Sequence, residues 1–294
     1  MCGSLQQLAG ARLADGGSEN LFVRPFTIFV MGDLGESRDP RLTFGTVVDV
    51  YDEIRPTYPE ELFDEFFSLL VTQPEVLEVG PGTGQATRDL LARGAVVHAV
   101  EISPSMARML RSNLPTEHLQ VSVGDFETID LGAGSTDAVF SASAYHWISP
   151  AAQLDRPAVI LRLGGVLAIV GLCQVDSPED RGFYAAAQPI YKRYGQADEG
   201  PPTEARQDVD PSIAQALARD PRFTDVDVHR WDWDQTYTAA GYRKLMLSFS
   251  DTNMIEAGDR MGLLDDMEAF ITSHFDGRVT RPLVVTLTTA RRAS

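Results

Sequence analysis

Between residues 75 and 171 short apolar runs alternate with helical stretches, and nothing else in the chain limits its fold so strongly. Glu75 to Val79, Ala95 to Glu101, Leu119 to Val123, Ala138 to Ser141 and Val166 to Gly171 read as strands. Thr83 to Arg93, Pro104 to Asn113 and Leu154 to Leu163 read as helices, with Gly94 and the Gly164-Gly165 pair as stops. Strands that alternate with helices predict a parallel sheet covered on both faces, because parallel neighbours need a crossover. Upstream, Pro59 opens PEELFDEFFSLLV, whose Leu62, Phe66 and Leu69 keep helical spacing and predict a packed helix. Beyond Gly171 the pattern changes. Residues 176–210 are rich in Pro, Gly, Asp and Glu around a helical stretch from Gly182 to Tyr194. Val226 to Trp233 alternates like a strand, and Ala239 to Ser250 and Glu256 to Phe275 read as helices. Arg278 to Arg291 reads as one long final strand, with Pro282 near its start. No internal repeat is present.

The chemistry concentrates at VLEVGPGTG, residues 76–84. A strand runs into Gly80-x-Gly82-x-Gly84 and a helix follows. Glycines there permit a sharp turn and let a ligand approach without meeting a Cβ. A glycine cluster alone is a weak sign, since an ordinary strand–helix turn uses it too. Three acids strengthen it. Glu78 precedes the first glycine, Glu101 ends the second strand and Asp125 follows Gly124 after the third. Carboxylates at the carboxyl ends of neighbouring parallel strands converge on the crevice where open α/β sheets bind ligands. The acid of strand two suits a ribose diol, the one after strand three an exocyclic adenine amine, and the one before the loop a cationic amino-acid group.

Composition excludes other classes. The 294 residues hold 42 acidic and 25 basic side chains, a formal charge of −17. Such a surface repels phosphate backbones and anionic lipid, so nucleic acid and membrane are poor partners. No apolar run is long enough to span a bilayer. Cys2 and Cys173 make no disulfide framework, and a reduced cytoplasm is the expected location. The five histidines show no metal-ligand spacing, so no metal is expected. Residues 1–40 read as a disordered or extended tail. Arg24-Pro25 splits its apolar run too short for an export signal, and Met31 is an alternative start.

The segments LEVGPGTGQAT, AVEISPSM, GDFE and DAVFSASAYHWI resemble successive motifs of the class I S-adenosylmethionine-dependent methyltransferases. The upstream FGTVVDVYDEIRPTYP also resembles the lid helix of a bacterial small-molecule subgroup akin to trans-aconitate methyltransferase. The resemblance implies an α/β, Rossmann-like seven-stranded sheet of order 3-2-1-4-5-7-6, with strand seven antiparallel, helices on both faces and a helical cap. Val226 to Trp233 becomes strand six and Val284 to Ala290 strand seven. The expected organisation is a methyltransferase domain over 41–294, divided into a lid and helix (41–71), a cofactor-binding core (72–171), a part with cap insertions (172–275) and the final strand (276–294).

The resemblance also implies roles. Glu78, Gly80, Gly82 and Gly84 face the methionine part of S-adenosyl-L-methionine. Glu101 holds the ribose hydroxyls, Ile102 and Met106 lie beside the adenine, and Asp125 and Phe126 meet its edge and face. Ser141 flanks the methyl group. Tyr51, Arg55 and Tyr58 belong to a lid over residues 44–59, whose helix ends at Arg55 because Pro56 disfavours helix there. Arg55 then either meets a carboxylate on cofactor or substrate, or pairs with Asp52 or Glu53. At the acceptor end lie Tyr145 and His146. Tyr145 is expected to hydrogen-bond the substrate. His146 either acts as general base or caps the turn, and Trp147 either walls the site or fills core space.

The expected activity is methyl transfer to a small molecule, with O-methylation of a carboxylate or hydroxyl favoured, by a monomer or homodimer. A protein that binds the cofactor without transferring methyl is one alternative. An NAD-dependent oxidoreductase is another, but its loop is G-x-G-x-x-G, whereas here Gln85 follows G-x-G-x-G.

Overall fold

The structure is a computed structural model and describes residues 52–196 and 200–293. Five parallel strands form its centre: β1 (Glu75–Val79), β2 (Val96–Glu101), β3 (Leu119–Val123), β4 (Thr136–Ala142) and β5 (Leu161–Gln174). Helix α1 (Glu60–Ser68) precedes them, and α2 (Thr87–Ala92), α3 (Pro104–Asn113) and α4 (Pro150–Ile160) lie between them. Helices α5 (Phe183–Arg193) and α6 (Ser212–Arg219) lead to β6 (Phe223–Asp232) and β7 (Gln235–Thr238). Then come α7 (Ala239–Leu247), α8 (Ser250–Met254), α9 (Ala257–His274), β8 (Arg278–Arg281) and β9 (Leu283–Arg292). The seven-stranded sheet has the order β3-β2-β1-β4-β5-β9-β6. Strand β9 is antiparallel to both β5 and β6, so it is the expected seventh strand, and the predicted topology holds.

The pleat divides the core. Val76 and Phe140 pack on one face with Leu62, Phe63, Phe66, Leu90 and Leu110. Leu77, Val79 and Val139 pack on the other with Ile160, Leu167 and Leu217. Leu62, Phe63 and Phe66 are fully buried, and each contributes about 1.5–3 kcal/mol by leaving water. A third cluster forms the cap from α5, α7, α9 and the β7–β8 pair, around Phe183, Tyr242, Leu263 and Met267. No helix among the described residues is long and apolar enough to cross a membrane.

Several boundaries differ from expectation, and four of the differences have a visible cause or consequence. Helix α4 ends at Ile160, not Leu163, and β5 begins at once. Gly164 and Gly165 lie inside the strand, where the β4–β5 register shifts. A Cβ on Gly165 would meet backbone oxygens of Arg162 and Asp137 at 2.9 and 3.0 Å. The long final strand is cut at Pro282, and its first part, β8, leaves the main sheet to pair with β7. The helix expected over 239–250 splits at Ser248 and Phe249 into α7 and α8. Helix α2 starts at Thr87, because residues 81–86 are taken up by the turns of the glycine loop.

Candidate active site

Strand β1 delivers Glu78 and then Gly80 to the carboxyl edge of the sheet. Gly80 has φ +68°, and a Cβ there would stand 2.5 Å from Ala144 Cβ, so the loop presses against the turn after β4. Gly84 has φ +106°, and a Cβ there would meet Leu110 Cδ1 at 2.8 Å and Leu114 Cδ1 at 3.0 Å. Only glycine serves at these two points. Glu101 ends β2 and gathers backbone donors: Gly82 N at 3.1 Å and Ser103 N at 2.8 Å. Glu78 is 1% exposed and accepts from Thr87 Oγ1 at 2.7 Å. Burial, reinforced by the neighbouring Glu101 charge, pushes the Glu78 carboxyl up to about 8. Burial also raises Glu101, against the pull of its backbone donors. Among the described residues, no Lys or Arg forms an ion pair with either acid. Two buried carboxylates held side by side make a site that gains from a cation.

The other expected contacts are placed as follows. Met106 is buried in the first turn of α3, capped by Ser103 Oγ, and Ile102 is half-buried beside Glu101. Asp125 Oδ1 accepts from Glu127 N at 2.9 Å. Phe126 is buried in the core, with the Arg156 guanidinium 5.5 Å from its ring centre. Ser141 is fully buried and its Oγ donates to Val79 O at 2.8 Å, tying β4 to β1. Tyr51 lies outside the described residues.

A narrow cleft opens over the loop, lined by Arg55, Tyr58, Glu78, Gly80, Ser143 and Leu172 among others. Ser143 holds φ +54°, unusual for a residue with a side chain, and its Oγ accepts from Tyr58 at 3.1 Å. A larger cavity of about 390 Å³ lies at the opposite, amino ends of the strands, around Glu75, His98 and Thr136, away from these groups. Residues 52–54 are helical and the helix stops before Arg55-Pro56. Asp52 Oδ1 receives Arg88 at 3.2 Å, Asn113 at 3.2 Å and Gln85 at 3.4 Å, while Glu53 takes Lys244 at 2.6 Å. Arg55 is therefore not held by either acid. Its Nη2 donates to Ser248 O at 2.6 Å and its guanidinium lies 4.9 Å from the Phe249 ring centre.

At the acceptor end, residues Tyr145–Trp147 form a single 3₁₀ turn. The expected substrate contact of Tyr145 is not what the geometry offers. The ring is buried and its hydroxyl donates to Gln153 O at 2.6 Å, so the phenol anchors the turn to α4. Burial also raises its pKa steeply. His146 keeps open surface, yet surrounding protein and the Arg55 charge lower its pKa to about 4. Trp147 is half-buried and stands 5.0 Å from the His146 ring. Sequence reasoning missed Thr87, Asp52 and Ser143. Thr87 had a signal, since it closes the LEVGPGTGQAT motif. Asp52 and Ser143 had none, because their roles come from neighbours distant in sequence.

This sheet order, with a glycine loop and acids on successive strand ends, defines the class I S-adenosylmethionine-dependent methyltransferases. The family described as methyltransferase domain matches residues 77–169. An uncharacterized methyltransferase of Mycobacterium tuberculosis is 32% identical over 237 residues, covering 81% of this chain and 88% of that one. A malonyl-[acyl-carrier protein] O-methyltransferase of Geobacter sulfurreducens is 32% identical over 111 residues, 37% of this chain and 40% of its own. Phosphoethanolamine N-methyltransferase 2 of Haemonchus contortus, solved with phosphomonomethylethanolamine and S-adenosylhomocysteine, shares the fold. Its TM-score is 0.52 at 16% identity, over 88% of this chain and 61% of that one. The chain belongs to the methyltransferase family, and its cofactor is S-adenosyl-L-methionine. The cofactor's positive sulfonium and ammonium groups suit the buried acids, which no Lys or Arg among the described residues pairs with.

Proposed function

We propose that this enzyme methylates a small-molecule carboxylate on oxygen, in the manner of the subgroup that includes trans-aconitate methyltransferase. His146 carries the choice. Its imidazole is a weak base, and no carboxylate among the described residues hydrogen-bonds it. A hydroxyl or carbon acid needs its proton removed, whereas a carboxylate arrives ionised. The acidic surface supports a small acceptor over a nucleic acid, and the Geobacter relative named as an O-methyltransferase supports the oxygen.

S-adenosyl-L-methionine supplies an electrophilic methyl on a sulfonium. The residues' part is to hold and align. In this reading Glu78 and the loop of Gly80, Gly82 and Gly84 take the amino-acid end, and Glu101 takes the ribose. Asp125, Ile102, Met106 and Phe126 surround the adenine. Ser141 braces the strand beside the transfer point. Arg55 and Tyr58, with Tyr51 before them, close the cleft and exclude water.

The test is a tritiated-methyl transfer screen against cell metabolite extract, with products hydrolysed in mild alkali. Methyl esters release labelled methanol, and that is the expected product. Label retained on nitrogen, carbon or an alkaline-stable ether overturns the carboxylate assignment.

A further inference from the structure

Arg281 closes β8 and is 5% exposed. Among the described residues no Asp or Glu lies in ion-pair reach of it. Its Nη2 donates to Gln174 Oε1 at 2.8 Å, at the carboxyl end of β5, and its guanidinium lies 5.6 Å from the Phe249 ring centre. The groups around this guanidinium, an amide, an aromatic face and tyrosine oxygens, are all uncharged. A buried cation held this way is costly unless an anion joins it.

Two tyrosines point to that anion. Tyr184 of α5 and Tyr237 of β7 are 5% and 7% exposed, and neither hydroxyl has a hydrogen-bond partner. Both phenols lie beside Arg281, whose charge and N–H groups act on their oxygens and lower their pKa against the rise from burial, so each O–H proton is left to find an acceptor. Their neighbours Tyr191 and Tyr242 satisfy each other at 3.0 Å, so the unmet pair is not a general property of this cluster. Buried hydroxyls are rarely left unbonded. Two hydroxyls without an acceptor and a guanidinium without a counter-charge among the described residues thus converge in one place.

That place adjoins the cleft. The Phe249 ring that Arg281 covers also carries Arg55, which lines the cleft over Gly80. Phe249 is half-buried and lies at the break between α7 and α8, so one ring at a helix break stands between Arg281 and the cleft.

We propose that Arg281, Tyr184 and Tyr237 bind a carboxylate of the methyl acceptor, distal to the atom that receives the methyl. The proposal rests on the methyl-transfer reading above and adds the acceptor's anchor. A carboxylate has two oxygens for the guanidinium fork and lone pairs left for both hydroxyls. Its single charge is balanced by Arg281, whereas a phosphate monoester's second charge would not be.

The experiment uses the full chain loaded with S-adenosylhomocysteine, titrated by calorimetry with succinate, malonate, citrate and glycerol 3-phosphate. At least one carboxylate binds, and more tightly than glycerol 3-phosphate. Arg281→Met lowers that affinity tenfold or more. Because Arg281→Met removes a buried group and can misfold, the Tyr184→Phe, Tyr237→Phe double variant is the second arm. It keeps the wild-type S-adenosylhomocysteine affinity and a melting temperature close to wild type, since both rings stay and only two poorly bonded hydroxyls are deleted, yet binds the carboxylate at least threefold more weakly. Unchanged carboxylate affinity in the double variant, preference for glycerol 3-phosphate, or no binding of any probe overturns the proposal. Failure of the wild-type chain to bind S-adenosylhomocysteine strikes the methyl-transfer reading instead.

Discussion

Glu78 and Glu101 share a short stretch of strand ends but answer to different forces. Glu101 is supported by backbone donors from both sides, so removing its carboxylate deletes charge-assisted bonds directly. Glu101→Ala is expected to weaken S-adenosylmethionine binding by about 1.5–3 kcal/mol, read by calorimetry. Glu78 has mainly its burial to contend with. Its folded pKa near 8 exceeds the ordinary 4.5, so the folded state holds the proton more tightly than the unfolded one. Its contribution to stability is complete below about pH 4.5 and is lost as pH rises toward 8. Urea midpoints across that window should fall in the ligand-free protein, and Glu78→Gln should flatten the trend. Cofactor affinity should move the other way, rising with pH as Glu78 ionises beside the cation. His146 gives the third test at this scale. With its pKa near 4, the acid limb of kcat/KM from this group should fall near pH 4 and not 6.5. His146→Gln should cost only a few-fold in turnover. A loss of about 100-fold or more would make the histidine a general base.

At the scale of elements, the entry to the cleft is a short helix end pinned to two different bodies. Asp52 binds the helix α2–α3 side through Arg88, Gln85 and Asn113, and Glu53 binds the cap through Lys244. Asp52→Ala removes three acceptor bonds at once. Cofactor affinity should fall several-fold while the melting temperature changes little, since Asp52 is partly exposed and such surface pairs are each worth under about 1 kcal/mol. The same scale shows where sequence was readable. Strands β1 to β4 and the helix over Pro104–Asn113 were legible because burial on a pleat and capped helical turns leave local patterns. The Gly164-Gly165 pair misled because the same residues that stop a helix also relieve a bulge. Pro282 was seen but not its effect, since only the partner strand β7 shows that β8 leaves the sheet. At the site, Glu78, Glu101 and the glycines were legible as a motif. The hydroxyl of Tyr145 and the surroundings of Arg281 were not. Their partners sit on other elements, and no spacing announces a bond between residues so far apart.

At the scale of the molecule, the cofactor-binding strands depend on a segment synthesised well after them. Strand β9 lies between β5 and β6, and eight of its ten residues are buried. Deleting residues 278–292 leaves every expected cofactor contact in place. It strips the hydrogen bonds from one edge of β5 and one edge of β6. That variant should aggregate and fail to bind S-adenosylmethionine, measured by light scattering and calorimetry.

The position of β9 also sets a timetable during translation. Strand β5 is complete at Gln174, and its partner does not begin until Leu283. At roughly 5–20 residues per second, the ribosome takes roughly 5–20 s to make the intervening stretch. Through that interval the nascent chain shows an apolar edge from Val166 to Gln174 that any extended peptide can extend. Strand β6 emerges first and must not close against β5, or the slot for β9 is lost. One interior strand, β9, is therefore the last of the sheet to be made and enters between two neighbours that precede it in the chain. The protein's yield in a cell depends on how well that waiting edge is shielded while the chain is still being made.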